Sequence, residues 1–397
     1  MSDKIKILET MDAYYPCIDG PCNVINNYSK NLFNLNGCEL AVPKQSKKSG
    51  YVDNEIFKVY RVKSTWAPEN YRLAHPSCDR TFNKMFKNAG YDIVHTHSPF
   101  AMGRYAVKMG KKLGIPVVAT LHTKFYDDFM RITKSKFLSN IALRYIMKVY
   151  NNADSVWTVN DASCQVLRDY GYKGKIEVVR NGTDLKYPEN AEALIKRVND
   201  LHNLEGQKNV FIFVGRTAMN KNLKLMADSL KIVKEKGYDF KMIFVGNGPD
   251  MNKFKGIVEE NGLNDNFIFT GLISKADREL LQGYYLRSDL FLFPSTFDTS
   301  SLVPIEAAAH KLPTLLIKGS YTAEAITDDF NGFLAEETPE KYAERIIEII
   351  SNEEKRKSVG EEAHVSVYRS WEMVAKEVLE KYKQIIKEYK ETHPKKK

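Results

Sequence analysis

VFIFVGRTAMNKNLK, residues 210–224, places a run of five apolar residues before a glycine and follows it with a polar, helix-forming segment. A short apolar run that ends at a glycine is typical of a strand buried on both faces, and the helical segment after it is typical of a βα unit. The same order recurs along the chain, because strand-like runs alternate with segments of helix length. The sequence therefore predicts an α/β fold with parallel, doubly wound sheets.

The strand-like runs fall into two series. The first is KIKILE, CELAVPK, FKVYRV, YDIVHTH, PVVATLH, DSVWTVN and KIEVVRNG, and the second is NVFIFVGR, FKMIFVGNG, NFIFTG, DLFLFPS, PTLLIK and NGFLAEE. Residues 186–208 between them are polar and helix-forming, which indicates a connector. We predict one Rossmann-like domain over residues 1–185, a second over 209–370, and a final helix, about 371–390, that docks back on the first domain. Two such domains are expected to face each other across a cleft that holds the active site.

Composition restricts the class of protein. The chain has 397 residues, of which 43% are hydrophobic, and this is enough for two or three cores. No apolar run is long enough to span a bilayer and the polar N-terminus is unlike a signal peptide, so we expect a cytoplasmic protein. The five cysteines lack a paired spacing, which favours reduced thiols over a disulfide framework or a zinc site.

Positive charge is concentrated in the N-terminal half. The net charge of +9 divides into +11 for residues 1–180 and −2 for the remainder. Residues 131–150, RITKSKFLSNIALRYIMKVY, contain five basic residues and no acidic one. Their apolar stripe at helical spacing consists of Leu138, Ile141, Tyr145 and Val149. Such a stripe packs on the sheet of its domain, or contacts a membrane while the basic residues meet anionic lipid, and the two can hold together.

Four charged residues of the second series suggest phosphate and sugar chemistry. Arg216 and Lys221 follow a strand beside Gly215, which lets the backbone approach a ligand, and this arrangement suits a diphosphate. Asp298 follows a later strand, and Glu306 lies beyond it with seven residues between the two. Each could be a solvated surface charge when taken alone. Because carboxylates accept hydrogen bonds from hydroxyl groups, the four together predict a nucleotide-sugar pocket.

VGNGPD, residues 245–250, contains two glycines but lacks the full Gly-x-Gly-x-x-Gly pattern of dinucleotide-binding loops. It also belongs to the second strand of its series, whereas that pattern follows the first. We interpret it as a tight structural turn with at most an indirect role in binding.

The order of these motifs resembles that of the retaining glycosyltransferases of family four, which have the GT-B fold of two Rossmann-like domains. In the second half the resemblance rests on VGR…KN, VGNGP, FTGLI and DLFLFPS followed by D-x7-E. In the first half it rests on YDIVHTHSPF, PVVATLHT, ADSVWTVN and VVRNGTD, so it covers most of the chain. LHTKFYDDF and DTSSLVPIEAAA are further similar to segments of bacterial diacylglycerol glucosyltransferases.

The resemblance implies a role for each matching residue. Arg216 and Lys221 would hold the donor diphosphate, Glu306 the ribose hydroxyls and Asp298 the donor sugar. His122 in ATLHT would face the donor sugar near the reacting centre, so the implied catalytic residues are His122, Arg216, Lys221 and Asp298. Further donor contacts would come from Gly20, Gly215, Ile273, Ser300, Ser301, Leu302 and Val303.

The chain departs from the family pattern at three places. Asp298 stands where the family usually has glutamate, and serines, Ser300 and Ser301, replace the glycines after it. In IDGPCN, residues 18–23, Gly20 remains from a Gly-Gly loop and Pro21 removes one N–H donor.

His95 and His97 in HTHSPF are interpreted as structural or acceptor-side residues.

The resemblance implies a retaining transfer of a hexose, glucose in particular, from a UDP-sugar to a lipid or a cell-envelope saccharide. UDP-glucose is the family's common donor, and the leaving phosphate helps to deprotonate the acceptor. No metal ion or other cofactor is expected, because side chains and dipoles balance the diphosphate. We expect peripheral contact between the basic N-terminal half and an anionic membrane, on its cytoplasmic face.

Three other classes remain open. A catalytically silent GT-B accessory subunit is compatible with Asp298 and the missing glycines. A sugar-nucleotide epimerase shares the fold but needs no basic acceptor surface. Binding of nucleic acid ranks last, because no recognised reader module accompanies the positive charge.

Overall fold

Two α/β units make up the chain in this computed structural model, which describes residues 4–17, 20–46, 49–67, 72–274, 277–298 and 301–394. Unit 1 comprises the chain up to Asn181 together with the chain from Trp371 onward. Unit 2 comprises Gly182–Ser370.

Unit 1 contains a seven-stranded sheet. Its strands, with those of a smaller pair, are β1 (Ile7–Thr10), β2 (Cys38–Pro43), β3 (Lys58–Val62), β4 (Ser64–Trp66), β5 (Arg72–Ala74), β6 (Ile93–Thr96), β7 (Val117–Leu121), β8 (Ser155–Thr158) and β9 (Glu177–Val178). The large sheet is parallel in the order β3-β2-β1-β6-β7-β8-β9, and β4 pairs with β5 in antiparallel. The winding direction reverses at β1, between β2 and β6. Doubly wound sheets bind ligands at the carboxyl ends of the strands beside such a reversal.

Six α-helices belong to the N-terminal part of unit 1 within the described residues, and three of them begin at a capping side chain. They are α1 (Gly20–Leu35), α2 (Arg80–Asn88), α3 (Ala101–Leu113), α4 (Phe125–Thr133), α5 (Lys136–Tyr150) and α6 (Asp161–Asp169). The side chains of Asp79, Ser135 and Asn160 accept hydrogen bonds from the first turns of α2, α5 and α6. Gly114 ends α3 with a φ of 66°, a left-handed conformation that glycine adopts without strain.

Unit 2 contains a six-stranded parallel sheet in the order β12-β11-β10-β13-β14-β15. Its strands are β10 (Val210–Val214), β11 (Lys241–Val245), β12 (Phe267–Gly271), β13 (Leu290–Phe293), β14 (Thr314–Ile317) and β15 (Phe333–Ala335). Phe213 stacks between Phe244 and Phe293 of the neighbouring strands, with ring centroids 4.8 and 5.9 Å away. VFIFV, residues 210–214, therefore forms the central strand of this sheet, β10, where the winding reverses.

Helices α7 to α13 cover the sheet of unit 2. They are α7 (Ala191–His202), α8 (Leu223–Glu235), α9 (Met251–Glu260), α10 (Arg278–Arg287), α11 (Val303–Ala309), α12 (Pro339–Ile350) and α13 (Glu353–Ser366). The predicted connector, 186–208, contains α7, whose Leu194 and Val198 are buried one helical turn apart. Gly283 of α10 packs against them, because a Cβ there would lie 3.0 Å from each of the two residues. The structure thus places this segment within unit 2.

The chain returns to unit 1 through its last helix, α14 (Trp371–Thr392). α14 packs on α1, and the rings of Trp371 and Tyr28 lie 5.6 Å apart. Trp371, Val374, Val378 and Tyr382 recur every three or four residues on its buried face. α14 thereby brings the Tyr382 hydroxyl to the interior of the unit 1 sheet.

The turn after β11 lies against the turn after β10. Gly246 has a φ of 137°, and a Cβ at this position would lie 1.9 Å from the carbonyl oxygen of Gly215. The Gly215 N–H donates to the Val245 carbonyl at 3.0 Å, and the Thr217 N–H donates to the Asn247 carbonyl at the same distance. VGNGPD is therefore a tight turn whose glycine permits the close approach of the backbone at Gly215.

We predict that Gly246→Ala lowers the free energy of unfolding of unit 2 by about 1 to 3 kcal/mol, because a methyl group meets a backbone carbonyl that has no room to move. Gly256→Ala on α9 is the matched control, since nothing lies within 4 Å of its added Cβ. That control should be neutral or stabilising by up to about 1 kcal/mol. Scanning calorimetry measures both, and equal melting temperatures for Gly246→Ala and wild type would contradict the close approach.

Candidate functional site

The residues predicted to bind a nucleotide-sugar in unit 2 follow adjacent strands. Gly215 and Arg216 come directly after β10, and Asp298 comes five residues after the end of β13. Because β10 and β13 are parallel neighbours, the chain leaves both at the same edge of the sheet. The motifs around residues 215 and 298 are thus brought together, as their shared chemistry predicts.

Lys221 and Asp298 form an ion pair at this edge. The Lys221 Nζ lies 2.8 Å from each carboxylate oxygen, and the Ser295 hydroxyl donates to Asp298 Oδ2 at 2.5 Å. The two charged side chains are 14% and 21% exposed. An ammonium group has three donors, so Lys221 keeps one for a further acceptor. Asp298 therefore orients Lys221 and also competes with any anion for its charge.

Arg216 supplies the uncompensated charge of the site. Its side chain is exposed, and among the residues that the structure describes it has no ion-pair partner. Asp298 balances the charge of Lys221. Of the two cations Arg216 and Lys221, Arg216 is therefore the one that can bind a diphosphate without loss of an existing contact.

Glu306 lies on α11 and is held by two side chains that the sequence analysis did not select. The hydroxyl of buried Tyr285 donates to Glu306 Oε2 at 2.9 Å. The Tyr285 ring stacks on His310, which donates from Nδ1 to the Glu306 carbonyl oxygen at 2.7 Å. Burial raises the pKa of Glu306, and the hydrogen bond from Tyr285 opposes this shift. Burial lowers the pKa of His310 to about 4, so its imidazole is neutral.

The i, i+4 spacing of Glu306 and His310 is a signal that sequence reading could have used, because such residues share one face of a helix. Tyr285 has no comparable local signal. It reaches Glu306 from α10, and only the tertiary fold of unit 2 brings the two together.

The remaining predicted donor contacts occupy several elements. Ile273 follows β12 and is partly buried, whereas Ser301, Leu302 and Val303 lie at or just before the first turn of α11. Ser300 lies outside the described residues. Gly20 begins α1 in unit 1, and a Cβ there would meet nothing within 4 Å, so no local packing requires glycine at this position.

In unit 1, His122 is the end of a chain of hydrogen-bonded side chains. Its Nε2 lies 2.9 Å from Nδ1 of His97, whose Nε2 lies 2.7 Å from Oε2 of Glu9. Glu9 and His95 are direct partners in the β1–β6 register, and alternate residues of a strand lie on one face, so His97 continues the row. Glu9 and His97 are buried, and His122 is partly exposed.

A second branch of the same network fixes the other oxygen of Glu9. The Tyr382 hydroxyl donates to Glu9 Oε1 at 2.8 Å and lies 2.5 Å from Nδ1 of His95. The other ring nitrogen of His95 lies 2.6 Å from the Thr120 hydroxyl. Glu9 and Tyr382 were not among the predicted site residues, although a carboxylate at the end of the strand-like run KIKILE is compatible with a buried, partnered charge.

Burial dominates the acid–base behaviour of this network. It raises the pKa of Glu9 to about 8 against the opposing hydrogen bond from Tyr382, and lowers the pKa of His97 to about 3. Burial also lowers the pKa values of His95 and His122, and the neighbouring imidazoles lower them further. The three imidazoles are therefore neutral near pH 7, while Glu9 titrates within an ordinary working range.

Glu9, His95 and His97 also have the residue types of a metal site, since their ligand atoms lie within 4.8 Å of one another. Hydrogen bonds already engage both oxygens of Glu9 and both ring nitrogens of each histidine. We therefore describe the group as a hydrogen-bond network. The expectation that the protein needs no metal ion stays a prediction.

Helices α4 and α5 present an exposed apolar surface with basic residues around it. We define the α4–α5 surface as Ile132, Phe137, Leu138, Ile141 and Tyr145 with Arg131, Lys134, Lys136 and Arg144, all of them exposed. Phe137 and Ile132 are 73% and 69% exposed. The interpretation that the whole stripe of α5 packs on the sheet is wrong, because Leu138, Ile141 and Tyr145 are exposed. The buried residues of α5 are Ser139, Ile146, Met147, Val149 and Tyr150. Within the described residues, no helix is both long and apolar enough to cross a membrane.

Comparison with known proteins extends over most of the chain. Residues 37–187 match the family Glycosyltransferase Family 4, and residues 195–365 match the family Glycosyl transferases group 1. The chain is 24% identical to an alpha-monoglucosyldiacylglycerol synthase of Streptococcus pneumoniae, covering 81% of this chain and 73% of that protein. It is also 24% identical to the synthase of the same name from Acholeplasma laidlawii, covering 89% and 90%.

Among solved structures, Anabaena HepE in complex with UDP is similar, with a TM-score of 0.76. The two chains are 16% identical, and the match covers 96% of this chain and 100% of that one. This likeness concerns the fold alone. It confirms the predicted α/β architecture of the GT-B type, with two units that contain parallel sheets.

We predict that Glu9 makes the stability of unit 1 depend on pH. Its pKa is about 8 in the folded protein, whereas the ordinary value for glutamate, which applies to the unfolded chain, is 4.5. Between these two pH values the folded state binds a proton that the unfolded state does not. Stability due to Glu9 is thus complete below about pH 4.5 and is lost as the pH rises to about 8. Relative to Glu9→Gln, the free energy of unfolding of wild type should fall by about 1.4 kcal/mol per pH unit in this window.

Urea unfolding followed by tryptophan fluorescence measures this difference, because all three tryptophans, Trp66, Trp157 and Trp371, belong to unit 1. Parallel pH profiles for wild type and Glu9→Gln would show that Glu9 does not titrate in the folded protein.

Proposed function

The chain belongs to the glycosyltransferases of family 4 and group 1 and is a nucleotide-sugar-dependent hexosyltransferase; from this premise we propose that it transfers a glucosyl group from UDP-glucose to a membrane lipid, with retention of the anomeric configuration. The observation that carries the proposal is the group of charges where the chain leaves β10 and β13. Arg216 and Lys221 supply positive charge there, and Asp298 and Glu306 supply acceptors for hydroxyl groups.

The cations would stabilise the departing diphosphate. Breaking the bond between the anomeric carbon and the phosphate oxygen leaves negative charge on that oxygen, and positioned cations lower the energy of the transition state. Arg216 is available for this without loss of a partner, and Lys221 retains one N–H donor beyond its contacts with Asp298. Tyr285 orients Glu306 through Oε2, which leaves Oε1 to accept from the ribose hydroxyls.

The transfer itself would follow the front-face route implied by the family. The acceptor hydroxyl oxygen forms a bond to the anomeric carbon on the side from which the phosphate leaves, and its proton passes to an oxygen of the leaving diphosphate. Retention follows, because the new bond occupies the face of the old one. His122 is the family's histidine that faces the donor sugar, and its Nδ1 has no hydrogen-bond partner among the described residues.

A lipid acceptor is supported by the α4–α5 surface. α4 begins three residues after His122, at the carboxyl end of β7, and the α4–α5 surface begins in the last turn of that helix with Arg131 and Ile132. Exposed apolar side chains surrounded by lysine and arginine complement an anionic bilayer, where each basic residue contributes about 1 kcal/mol. The two named relatives are synthases of a glucosyl diacylglycerol, which agrees with a diacylglycerol-type acceptor and a glucosyl donor.

A catalytically silent accessory subunit is the second candidate. The contact of Asp298 with Lys221 through both carboxylate oxygens favours it, because a pair that stays closed withholds Lys221 from the diphosphate. Release of UDP from UDP-glucose in the presence of lipid vesicles distinguishes the two. A transferase releases UDP from the donor, whereas a silent subunit binds UDP-glucose and releases no UDP from it.

We predict that Glu306→Ala weakens binding of UDP and UDP-glucose at least tenfold, because hydrogen bonds from the ribose to a carboxylate contribute about 1.5 to 3 kcal/mol. Titration calorimetry measures the affinity, and Glu259→Ala, an exposed change on α9 of the same unit, is the matched control. Parallel titrations with GDP- and ADP-glucose identify the base. Unchanged UDP affinity in Glu306→Ala would remove Glu306 from the pocket.

We predict that the protein binds anionic vesicles and that Lys134→Gln with Lys136→Gln weakens this binding about 30-fold, from about 1 kcal/mol per basic residue. Phe137→Ser should weaken binding to neutral and anionic vesicles alike, because it removes apolar surface that would be buried in the bilayer on binding. Co-sedimentation with phosphatidylglycerol and phosphatidylcholine vesicles measures both effects. Lys253→Gln with Lys255→Gln on α9 is the control pair, and an equal loss in that pair would show that general charge, not the α4–α5 surface, makes the contact.

A further inference from the structure

A row of three side chains leads from the interior of unit 1 to the accessible ring of His122. Glu9 and His97 are buried, their contact is 2.7 Å, and the contact from His97 to His122 is 2.9 Å. We propose that Glu9, His97 and His122 form a proton relay in which the protonation of Glu9 decides which ring nitrogen of His122 carries hydrogen. Glu9 and His97 are then positioning residues that set the hydrogen-bonding character of His122.

The hydrogen bond from Tyr382 to Oε1 assigns the exchangeable proton of Glu9 to its other oxygen. The Tyr382 hydroxyl has one hydrogen and donates it to Glu9 Oε1, so His95 Nδ1 must carry hydrogen and donate to the Tyr382 oxygen. His95 Nε2 is then the acceptor of the Thr120 hydroxyl hydrogen. With Tyr382 as the donor to Oε1, a proton that enters or leaves Glu9 does so at Oε2, which faces His97. The reverse direction of this branch would place hydrogen on Oε1 and on His95 Nε2, so the tautomer of His95 distinguishes the two assignments.

The two states of Glu9 impose opposite directions on the relay. When Glu9 is protonated, Oε2 donates to His97 Nε2, His97 donates from Nδ1 to His122 Nε2, and His122 carries its hydrogen on Nδ1. When Glu9 is ionised, His97 Nε2 donates to Oε2, His122 Nε2 donates to His97 Nδ1, and His122 Nδ1 carries a lone pair. A neutral imidazole has one donor and one acceptor nitrogen, so no mixed arrangement keeps both hydrogen bonds.

Ionisation of Glu9 balances without charge on either imidazole. The Oε2 proton passes to His97 Nε2, the His97 Nδ1 proton passes to His122 Nε2, and the His122 Nδ1 proton leaves to solvent. Both imidazoles stay neutral throughout, which agrees with the low pKa values of His97 and His122. The raised pKa of Glu9, about 8, places the change within an accessible pH range.

Other titratable groups lie beside the relay on the elements packed around it. Tyr28 on α1 contacts the rings of His95 and His97, and Cys38 on β2, His95 on β6 and Tyr382 on α14 lie beside Glu9. Burial raises the pKa values of Cys38 and Tyr382 and lowers that of His95, so these three stay neutral while Glu9 titrates. The change is thus confined to Glu9 and the two imidazoles that follow it.

The consequence for a ligand rests on the proposed function. If His122 faces the donor sugar, its Nδ1 accepts a hydrogen bond from a sugar hydroxyl when Glu9 is ionised and donates one when Glu9 is protonated. The relay itself is a property of unit 1 without any ligand. It can therefore be tested apart from transfer activity.

The test is nitrogen NMR of the protein labelled with ¹⁵N-histidine, which distinguishes a protonated ring nitrogen from one with a lone pair. In wild type, His122 should carry hydrogen on Nδ1 at pH 6.5 and on Nε2 at pH 9.5, with a midpoint near 8 and no doubly protonated form between. His122→Gln and His97→Gln assign the signals. A single tautomer across this range, or a doubly protonated His122 that forms near pH 6.5, would overturn the relay.

Glu9→Gln tests the first member of the relay. Its amide oxygen accepts from Tyr382 and its NH₂ donates to His97, which copies protonated Glu9, so His122 should keep hydrogen on Nδ1 at every pH. Glu39→Gln on β2 is the matched control, because Glu39 also accepts from tyrosine hydroxyls, those of Tyr60 and Tyr91. A tautomer change that persists in Glu9→Gln would overturn the proposal, and the wild-type titration stands by itself if this variant does not fold.

Two further measurements distinguish the relay from a metal site and from the proposed function. Addition of Zn²⁺ to chelator-treated protein should leave the His95 and His97 signals in place; a stoichiometric shift of both would replace the relay with a metal site. Calorimetry with UDP-glucose runs on the same samples. A tautomer change without donor binding supports the relay and counts against the proposed function, whereas donor binding without a tautomer change overturns the relay alone.

Discussion

Parallel strand pairing at the reversal of each sheet is the constraint on which both sites depend. In unit 1, β1 lies between β2 and β6, and in unit 2, β10 lies between β11 and β13. Parallel neighbours end at the same edge, so residues 77 or more positions apart meet there without a long loop. The β1–β6 register sets Glu9 beside His95, and the exits from β10 and β13 bring Lys221 to Asp298. A shift of register by one residue would turn Glu9 to the opposite face of the sheet.

The two sites handle charge in different ways. In unit 1, Glu9 is buried, so ionisation of its carboxyl costs desolvation energy. Hydrogen bonds from Tyr382 and His97 to the ionised carboxylate offset part of that cost. In unit 2, Lys221 and Asp298 are partly exposed and form an ion pair. The buried network therefore suits control of one proton, and the partly exposed pair suits a charged ligand that competes for the same contacts.

Several site residues were within reach of sequence reasoning, and their partners were not. Arg216, Lys221, Asp298 and Glu306 were selected because glycine, cations and carboxylates follow apolar strands in a definite order. Tyr285 was missed because it reaches Glu306 from a different helix, and a tyrosine in an amphipathic segment has no distinguishing local pattern. The apolar stripe of α5 was correctly located, but which side of that helix meets the sheet depends on the rotation of the helix about its axis.

Local chemistry and periodicity by themselves determined the α/β class and the two series of parallel strands, and the order of the motifs carried the resemblance to the family and the prediction of a nucleotide-sugar site. These properties depend on short-range order, which a sequence displays directly. Only the tertiary structure decided that residues 186–208 pack within unit 2, that Lys221 is paired with Asp298, and that Tyr382 of the last helix reaches Glu9 of the first strand. Such contacts join residues 77 to 373 positions apart. Packing and desolvation over the whole unit determine these contacts, so they cannot be read from the sequence of any single segment.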